Sequence, residues 1–450
     1  MLRRLLLVIL AALAFAAPAS AFSKEEGVET MEDGVVIALT RYTPDGTAPA
    51  GGWPGIVVLH GLAGTRASVD QISSQFASAG YAVLAYDARG HGASGGEVTL
   101  AGPREVADLR LLRNAFARRP EVSDTKIGAW GISYGGGQIW NALAAGVPFA
   151  AAEVVETWTS LYDALWPQDL ARSGIVAGFA ASVSARSPLI ARLRDAAVQS
   201  TDPRAIRQLA AERSALAKAG SIRTPVYLFQ GRADFAFDLS QATRAYARLA
   251  GPKRLYVGTF GHTPSTFPGP DLAYVLSESR AWFDRHLRGR GPVDAKPRVT
   301  VAAQSGRRRS FAVVPPTATR RFVLPGRSTV RGSGLLSRRT APLGAPLETW
   351  GGGTATVALS NLTTYPRLVV TVLDGNRIVA QGGLKPKRGR NVVTLANYCV
   401  FVPRGTRLRV VVGPASPPGQ LAYLGFAGAG AATIGPVTLS LSTLRTPVSG

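Results

Sequence analysis

The chain has 450 residues, 46% of them hydrophobic and 18% charged, which leaves room for two or three domains with sizeable cores and excludes a disordered chain. Its formal net charge is +23, and its one cysteine, Cys399, excludes an internal disulfide framework. No stacked-aromatic pattern or nucleic-acid motif accompanies the arginines, so nucleic acid is not an expected partner.

Met1-Leu2-Arg3-Arg4, an apolar run from Leu5 to Ala17 and then Ala19-Ser20-Ala21 read as a signal peptide over residues 1–21. The run is too short to span a bilayer, so a secreted or periplasmic product is expected. Asp33-Gly34 between two β-rich runs predicts an opening hairpin. Gly55-Ile56-Val57-Val58-Leu59 is a continuous apolar run, as a strand covered on both faces requires, and it leads into His60-Gly61-Leu62. A helix is expected from about 68 to 79, a second buried strand over 81–86, and a helix from Pro103 to Arg119, where Val106, Leu109, Leu112 and Phe116 share one face.

Next comes Lys126-Ile127-Gly128-Ala129-Trp130-Gly131-Ile132-Ser133-Tyr134-Gly135-Gly136-Gly137, followed by Ile139, Trp140 and Leu143 at helical spacing. This reads as a strand, a tight turn and a helix with Ser133 at the turn, where only small neighbours fit. Another strand is expected over 149–155. From 157 to 221 the strand rhythm stops and the composition turns helical, which predicts a cap over the carboxyl ends of the strands. Strand rhythm resumes at 225–230 and 254–257, with helices near 239–249 and 271–287. The alternation implies a mostly parallel sheet with helices on both faces.

Gly289-Arg290-Gly291-Pro292 reads as a linker. Beyond it, short alternating strands such as Arg367–Leu373, Arg377–Ala380 and Arg407–Val412 predict an all-β sandwich over 291–450. That part carries 21 Lys+Arg against 3 Asp+Glu, whereas residues 22–290 are nearly balanced at 28 against 25. Cys399 lies in the apolar run Tyr398–Val402 and is expected to be a buried, inert thiol in a strand.

A serine hydroxyl needs a base in hydrogen-bond reach to act as a nucleophile. Of His60, His91, His262 and His286, only the last two follow Ser133, and His286 falls inside the last helix, where a solvated surface role is expected. His262, in Gly261-His262-Thr263-Pro264 just past a strand, is the expected base. Asp234, in Gln230-Gly231-Arg232-Ala233-Asp234 after the preceding strand, is the expected orienting acid, and Asp238 the cap of the next helix. The backbone N–H groups of Leu62 and Tyr134 are the expected oxyanion donors. Scattered histidines supply no metal cluster, so neither a metal nor another cofactor is expected.

With Ser133, Asp234 and His262 in that order, the chain resembles the α/β-hydrolase superfamily. More narrowly, it resembles the X-prolyl dipeptidyl aminopeptidase and cocaine esterase group. The narrower likeness rests on Gly131-Ile132-Ser133-Tyr134-Gly135-Gly136, on Asp87-Ala88-Arg89-Gly90 with Ser94-Gly95, and on Gln230–Asp234 with Phe237 and Gln241-Ala242. It implies an α/β-hydrolase core over 22–290 with a helical cap inserted at 157–221, and a jelly-roll-like β-sandwich over 291–450. It also implies a serine hydrolase acting on a small ester or peptide substrate through an acyl-enzyme, either a carboxylesterase or an Xaa-Pro dipeptidyl-peptidase. Some members of the group take an oxyanion donor from a tyrosine in the first strand-end loop, and His60-Gly61-Leu62 has none. Glu153, Glu156, Asp163 or Asp169, at the last core strand and the start of the cap, are the acidic candidates for holding a substrate ammonium. The alternative from a different class is a catalytically vestigial protein that binds an anionic cell envelope through residues 291–450. If the basic part acts in that way, residues 291–450 alone bind an anionic polymer at low salt and release it as salt rises, and salt-independent or absent retention ends the idea.

Overall fold

The computed structural model describes residues 21–262, 265, 269–291, 298–425 and 430–449. The signal peptide expected at 1–21, except for Ala21, lies outside the described residues, as do Thr263, Pro264 and Pro292. Among the described residues, no helix is long and apolar enough to cross a membrane.

Ten strands make one sheet. They are β1 (Phe22–Thr30), β2 (Val36–Pro44), β3 (Trp53–Leu59), β4 (Ala82–Tyr86), β5 (Val122–Ile132), β6 (Ala151–Val155), β7 (Val226–Gly231), β8 (Lys253–Gly258), β9 (Arg298–Ala302) and β10 (Arg308–Phe311). Their order is β1-β2-β4-β3-β5-β6-β7-β8-β9-β10. Neighbours from β4 through β9 are parallel, and the two edges are antiparallel hairpins. The central strands are apolar throughout because each face of the sheet meets its own helical layer. Along β3, Val57 and Leu59 enter one core with α2 and α3 residues, while Ile56 and Val58 enter another with Phe76, Trp282 and Phe283.

Helices α1 (Asp70–Ser78), α2 (Pro103–Ala117) and α3 (Tyr134–Ala144) follow β3, β4 and β5. Between β6 and β7 lie α4 (Leu161–Leu165), α5 (Ser173–Val183), α6 (Pro188–Gln199) and α7 (Pro203–Ala211), joined by short 3-10 turns and no strand. Ser160, Ser187 and Asp202 cap α4, α6 and α7 by accepting first-turn N–H bonds. Helix α8 (Leu239–Arg248) follows β7, and α9 (Leu272–Arg288) follows β8.

The remaining strands are β11 (Thr317–Leu324), β12 (Ser328–Arg331), β13 (Leu336–Arg339), β14 (Leu347–Ser360), β15 (Leu368–Asp374), β16 (Arg377–Leu384), β17 (Gly389–Leu395), β18 (Phe401–Val402), β19 (Arg409–Gly413) and β20 (Ala431–Leu444). They form two antiparallel sheets, β11-β20-β14-β17 (with β12 on β20 and β18 on β14) and β13-β19-β15-β16. Val357 and Leu439 from one sheet share a core with Val370 and Val410 from the other.

Two sequence expectations change. The parallel sheet does not stop at residue 290: β9 pairs with β8 through Arg254–Val257, and β10 pairs with β9. A fragment starting at 291 would therefore carry two strands of the other domain's sheet, so the salt test of the basic domain belongs on the full chain. Cys399 is buried but precedes the two-residue β18 and is not in a strand. Burial pushes its thiol up to about 12, which keeps it protonated and unreactive.

The sandwich grips the segment after β7. Arg232 is buried, donates to the Ala302 carbonyl and pairs with the buried Glu348. Glu348 also accepts the Ser449 N–H at 3.0 Å and the Ser449 hydroxyl at 2.8 Å. Burial opposes its ionisation, but Arg232 and these donors hold the carboxyl below its usual range. Nearby, Cys399 N–H donates to the Arg232 carbonyl at 2.7 Å, Leu239 N–H to the Asn397 carbonyl at 2.9 Å, and Asn397 N–H to Asp238 at 3.0 Å. Breaking a buried pair strands the remaining charge, so Glu348→Ala is expected to cost about 3–5 kcal/mol. A urea unfolding midpoint that drops clearly below that of the parent chain is the expected result, and an unchanged midpoint would contradict it.

Candidate active site

Ser133 follows β5 with φ 53° and ψ −112° and immediately precedes α3. That backbone is strained for a residue with a Cβ, and the packing around it explains why it persists. A Cβ on Gly131 would lie 2.7 Å from the Gly135 carbonyl, and one on Gly135 would lie 2.5 Å from the Leu59 carbonyl oxygen. Ser133 N–H donates to the Val155 carbonyl at 2.8 Å, and the Thr157 hydroxyl donates to the Ser133 carbonyl at 2.7 Å. The side chain is thus held above the start of α3, whose first N–H groups have no acceptor within the helix.

His262 follows β8. Gly261 just before it has φ 150°, and a Cβ there would lie 3.2 Å from the Asp234 Cα, so the two loops touch. His262 Nε2 lies 2.8 Å from Ser133 Oγ, and Nδ1 lies 2.8 Å from Asp234 Oδ2. Asp234 is fully buried, and its Oδ1 accepts the Ala236 and Phe237 N–H groups at 2.8 and 2.9 Å. Phe237 meets the imidazole edge-on at 5.2 Å. The three side chains expected to act together therefore form one hydrogen-bonded chain from carboxylate to hydroxyl.

Leu62 lies in the loop after β3, and a Cβ on its neighbour Gly61 would be 3.8 Å from the Ser133 Cβ. Leu62 and Ser133 line the same two cavities. Tyr134 is the first residue of α3, and its phenol turns into the core to donate to Glu105 at 2.7 Å. His60 is buried, accepts the Ala88 N–H on Nε2 at 3.0 Å and has Nδ1 2.7 Å from the Gly61 carbonyl. Burial lowers it to about 4, so it is neutral and shapes the turn. Asp87 accepts the N–H groups of Arg66 at 2.6 Å and Ala93 at 2.8 Å, and Arg89 clasps Asp108 and Asp33. His286 differs from the surface role expected: it packs against Trp282 with ring centres 4.2 Å apart, and burial lowers it to about 4.

A fourth titratable group stands in the site. Glu156, directly after β6, is buried, with Oε2 4.0 Å from His262 Nδ1 and, among the described residues, no hydrogen-bond partner on Oε1. Its neighbours in charge are Asp234 and His262. The sequence reading named it only as an ammonium holder. The strand order β6-β7-β8 is the missing signal, because it puts residues 156, 234 and 262 at three adjacent strand ends. Of the other acidic residues named, Asp163 pairs with Arg244, Asp169 with Arg207 and Tyr162, and Glu153 is buried under Ser279. Ligand atoms of Glu156, Asp234 and His262 lie within 4.8 Å of one another, as a metal cluster would require. Asp234 and His262 already spend those atoms on each other, so the chemistry of the set is proton sharing.

Burial pulls the His262 pKa down, but Asp234 and then Glu156 outweigh it and lift it to about 8. Burial, and then the Asp234 charge, raise Glu156 to about 8. The unfolded chain gives up the Glu156 proton near the ordinary carboxylate range, while the folded protein keeps it to about 8. Folding therefore takes up a proton in that window, and stability falls as pH rises through it. Glu156→Gln removes this dependence, so its melting temperature is expected to gain on the parent between pH 5 and pH 8. A difference that stays constant with pH would contradict the assignment.

The model of the X-Pro dipeptidyl-peptidase (S15) family matches residues 33–264. An uncharacterized 31.7 kDa protein from the traX-finO intergenic region of Escherichia coli is 33% identical over 110 residues, 24% of this chain. The chain spans only 37% of that relative's length. Among solved structures, a CocE/NonD family hydrolase from Staphylococcus aureus aligns with a TM-score of 0.73 at 14% identity, covering 94% of each chain. An aminopeptidase from a Thaumarchaeota archaeon aligns at 0.70 and 14%, covering 94% of this chain and 97% of the other. An alpha-amino acid ester hydrolase aligns at 0.67 and 15%, covering 95% and 98%. At these identities the likeness is one of fold.

Proposed function

This chain belongs to the X-Pro dipeptidyl-peptidase (S15) family of α/β hydrolases, and from that premise we propose that it is a serine hydrolase of carboxylic esters or peptides working through an acyl-enzyme. The observation that carries the reading is the imidazole of His262, 2.8 Å from Ser133 Oγ on one side and 2.8 Å from Asp234 on the other.

In the proposed cycle Ser133 Oγ attacks the substrate carbonyl carbon while its proton passes to His262 Nε2. Asp234 keeps the other proton on Nδ1, fixing the tautomer and offsetting the imidazolium charge. The N–H groups of Leu62 and Tyr134 hold the oxyanion. His262 then gives its proton to the leaving alcohol or amine, the carbonyl-to-leaving-group bond breaks, and Ser133 is acylated. Water, deprotonated by the same imidazole, attacks the acyl carbon and releases the carboxylic acid, and the proton returns to Ser133.

Only neutral imidazole can take the serine proton. With His262 raised to about 8, kcat/KM is expected to fall about tenfold per unit below that pH. A profile flat from pH 6 to 8 would contradict this role for His262. A fluorophosphonate probe is expected to label the full chain at Ser133. Ser133→Ala should lose both the label and on the order of 10⁵-fold or more in kcat. Labelling that survives the substitution would overturn the proposal.

A further inference from the structure

Ser133 opens onto two cavities of very different size and polarity. One is a narrow slot of about 50 Å³ between the cap and the first turn of α3, walled by Leu62, Trp158, Leu165, Val176, Phe179 and Phe237. The other is a cavity of about 740 Å³ between α1 and α9, bordered by His262, Glu156, Ser68, Gln71, Gln75 and Ser265. Resting on the serine-hydrolase reading above, we propose that the slot receives the acyl group and the wide cavity the leaving group. The preferred substrates are then esters of short, uncharged aliphatic acids with bulky alcohols.

The direction follows from the proton path. His262 must deliver its proton to the leaving oxygen, so the leaving group lies on the side that His262 lines, and His262 borders only the wide cavity of the two. The acyl group then takes the other side of Ser133, past Leu62 and Tyr134, which both border the slot.

Size and charge set the acyl class. At about 50 Å³ against about 740 Å³, the slot is more than tenfold smaller than the other cavity, which suits a short acyl chain. Among the described residues no acidic side chain lines the slot, and the charged one that does, Arg194, pairs with Asp195 at 2.9 Å on the exposed side. An acyl group with a free ammonium would bury that charge against apolar walls, an arrangement that costs several kcal/mol in general. Among the described residues lining the two cavities the acidic one is Glu156, which lies across Ser133 in the wide cavity.

Each buried methylene that fits is worth about fourfold in kcat/KM. Across p-nitrophenyl acetate, butyrate, hexanoate and decanoate, the full chain is expected to favour butyrate over acetate by about fifteenfold and to lose activity again by decanoate. Gly-Pro and Ala-Pro p-nitroanilides should turn over at less than a hundredth of the butyrate rate. Val176→Phe narrows the slot and should bring the butyrate-to-acetate ratio below one. A flat chain-length series, a decanoate optimum, or anilide turnover equal to butyrate would overturn the assignment. So would an unchanged ratio in Val176→Phe. Fluorophosphonate labelling of Ser133 is scored alongside. Labelling retained with any of those outcomes removes the slot assignment alone, and labelling lost in the parent chain removes the serine mechanism with it.

Discussion

The whole site depends on how closely the first turn of α3 is pressed into the sheet. Gly135 has no room for a methyl beside the Leu59 carbonyl, Gly136 none beside Thr157, and Gly137 none beside the Trp158 ring, where a Cβ would come within 2.4 Å. This close approach sets the strained turn at Ser133 and places the helix amides beneath it. It also sets the slot, because Trp158, which presses on Gly137, is one of the slot's walls. One packing constraint therefore fixes both the reacting hydroxyl and the space an acyl group would enter. A methyl on any of these glycines would push on backbone or on a buried indole, neither of which can give way cheaply.

Much of this was legible in the sequence because its causes are local. Ser133, Asp234 and His262 each follow a buried apolar run and sit among glycines, so strand ends and turns could be read without knowing what lay beside them. Asp238 likewise caps α8, accepting the Ser240 N–H, as its position before a helical pattern implies. Glu156 near His262 was not legible, since their contact depends on which strands are neighbours, and spacing along the chain does not encode lateral order. The same holds for β9 and β10. Both fell within the bounds 291–450 read as a sandwich, yet β9 pairs in parallel with β8 across the linker. His286 misled for a related reason: charged sequence neighbours suggested solvent, while the helix turned the ring onto Trp282.

The pair of carboxyls behind His262 makes the electrostatics of the site a matter of proton count. Ionising Glu156 puts a buried charge beside Asp234 and the same imidazole, and these are the two charge neighbours that act on it. Burial and the Asp234 charge raise Glu156 while the two carboxyls together raise His262, so Glu156 and the imidazole titrate as a linked pair. The Ala236 and Phe237 N–H groups point at Asp234, whereas among the described residues Oε1 of Glu156 has no donor.

The basic sandwich is part of this arrangement. Its backbone at Asn397 and Cys399 holds the segment that carries Asp234, and Arg172 from the cap donates to the Ala236 carbonyl and to the Tyr398 hydroxyl of the sandwich. Also from the cap, Gln168 bonds both the Val392 carbonyl and the Thr394 N–H of β17, and the Ser200 carbonyl accepts from Lys385. The cap is therefore tied to the sandwich at Gln168, Arg172 and Ser200, and the slot lies between that tethered cap and the pressed helix. The Arg172 bonds are buried, so moving the cap away from the sandwich breaks them, whereas those of Gln168 are exposed. The acid's position and the slot's width thus share a support more than a hundred residues downstream of both.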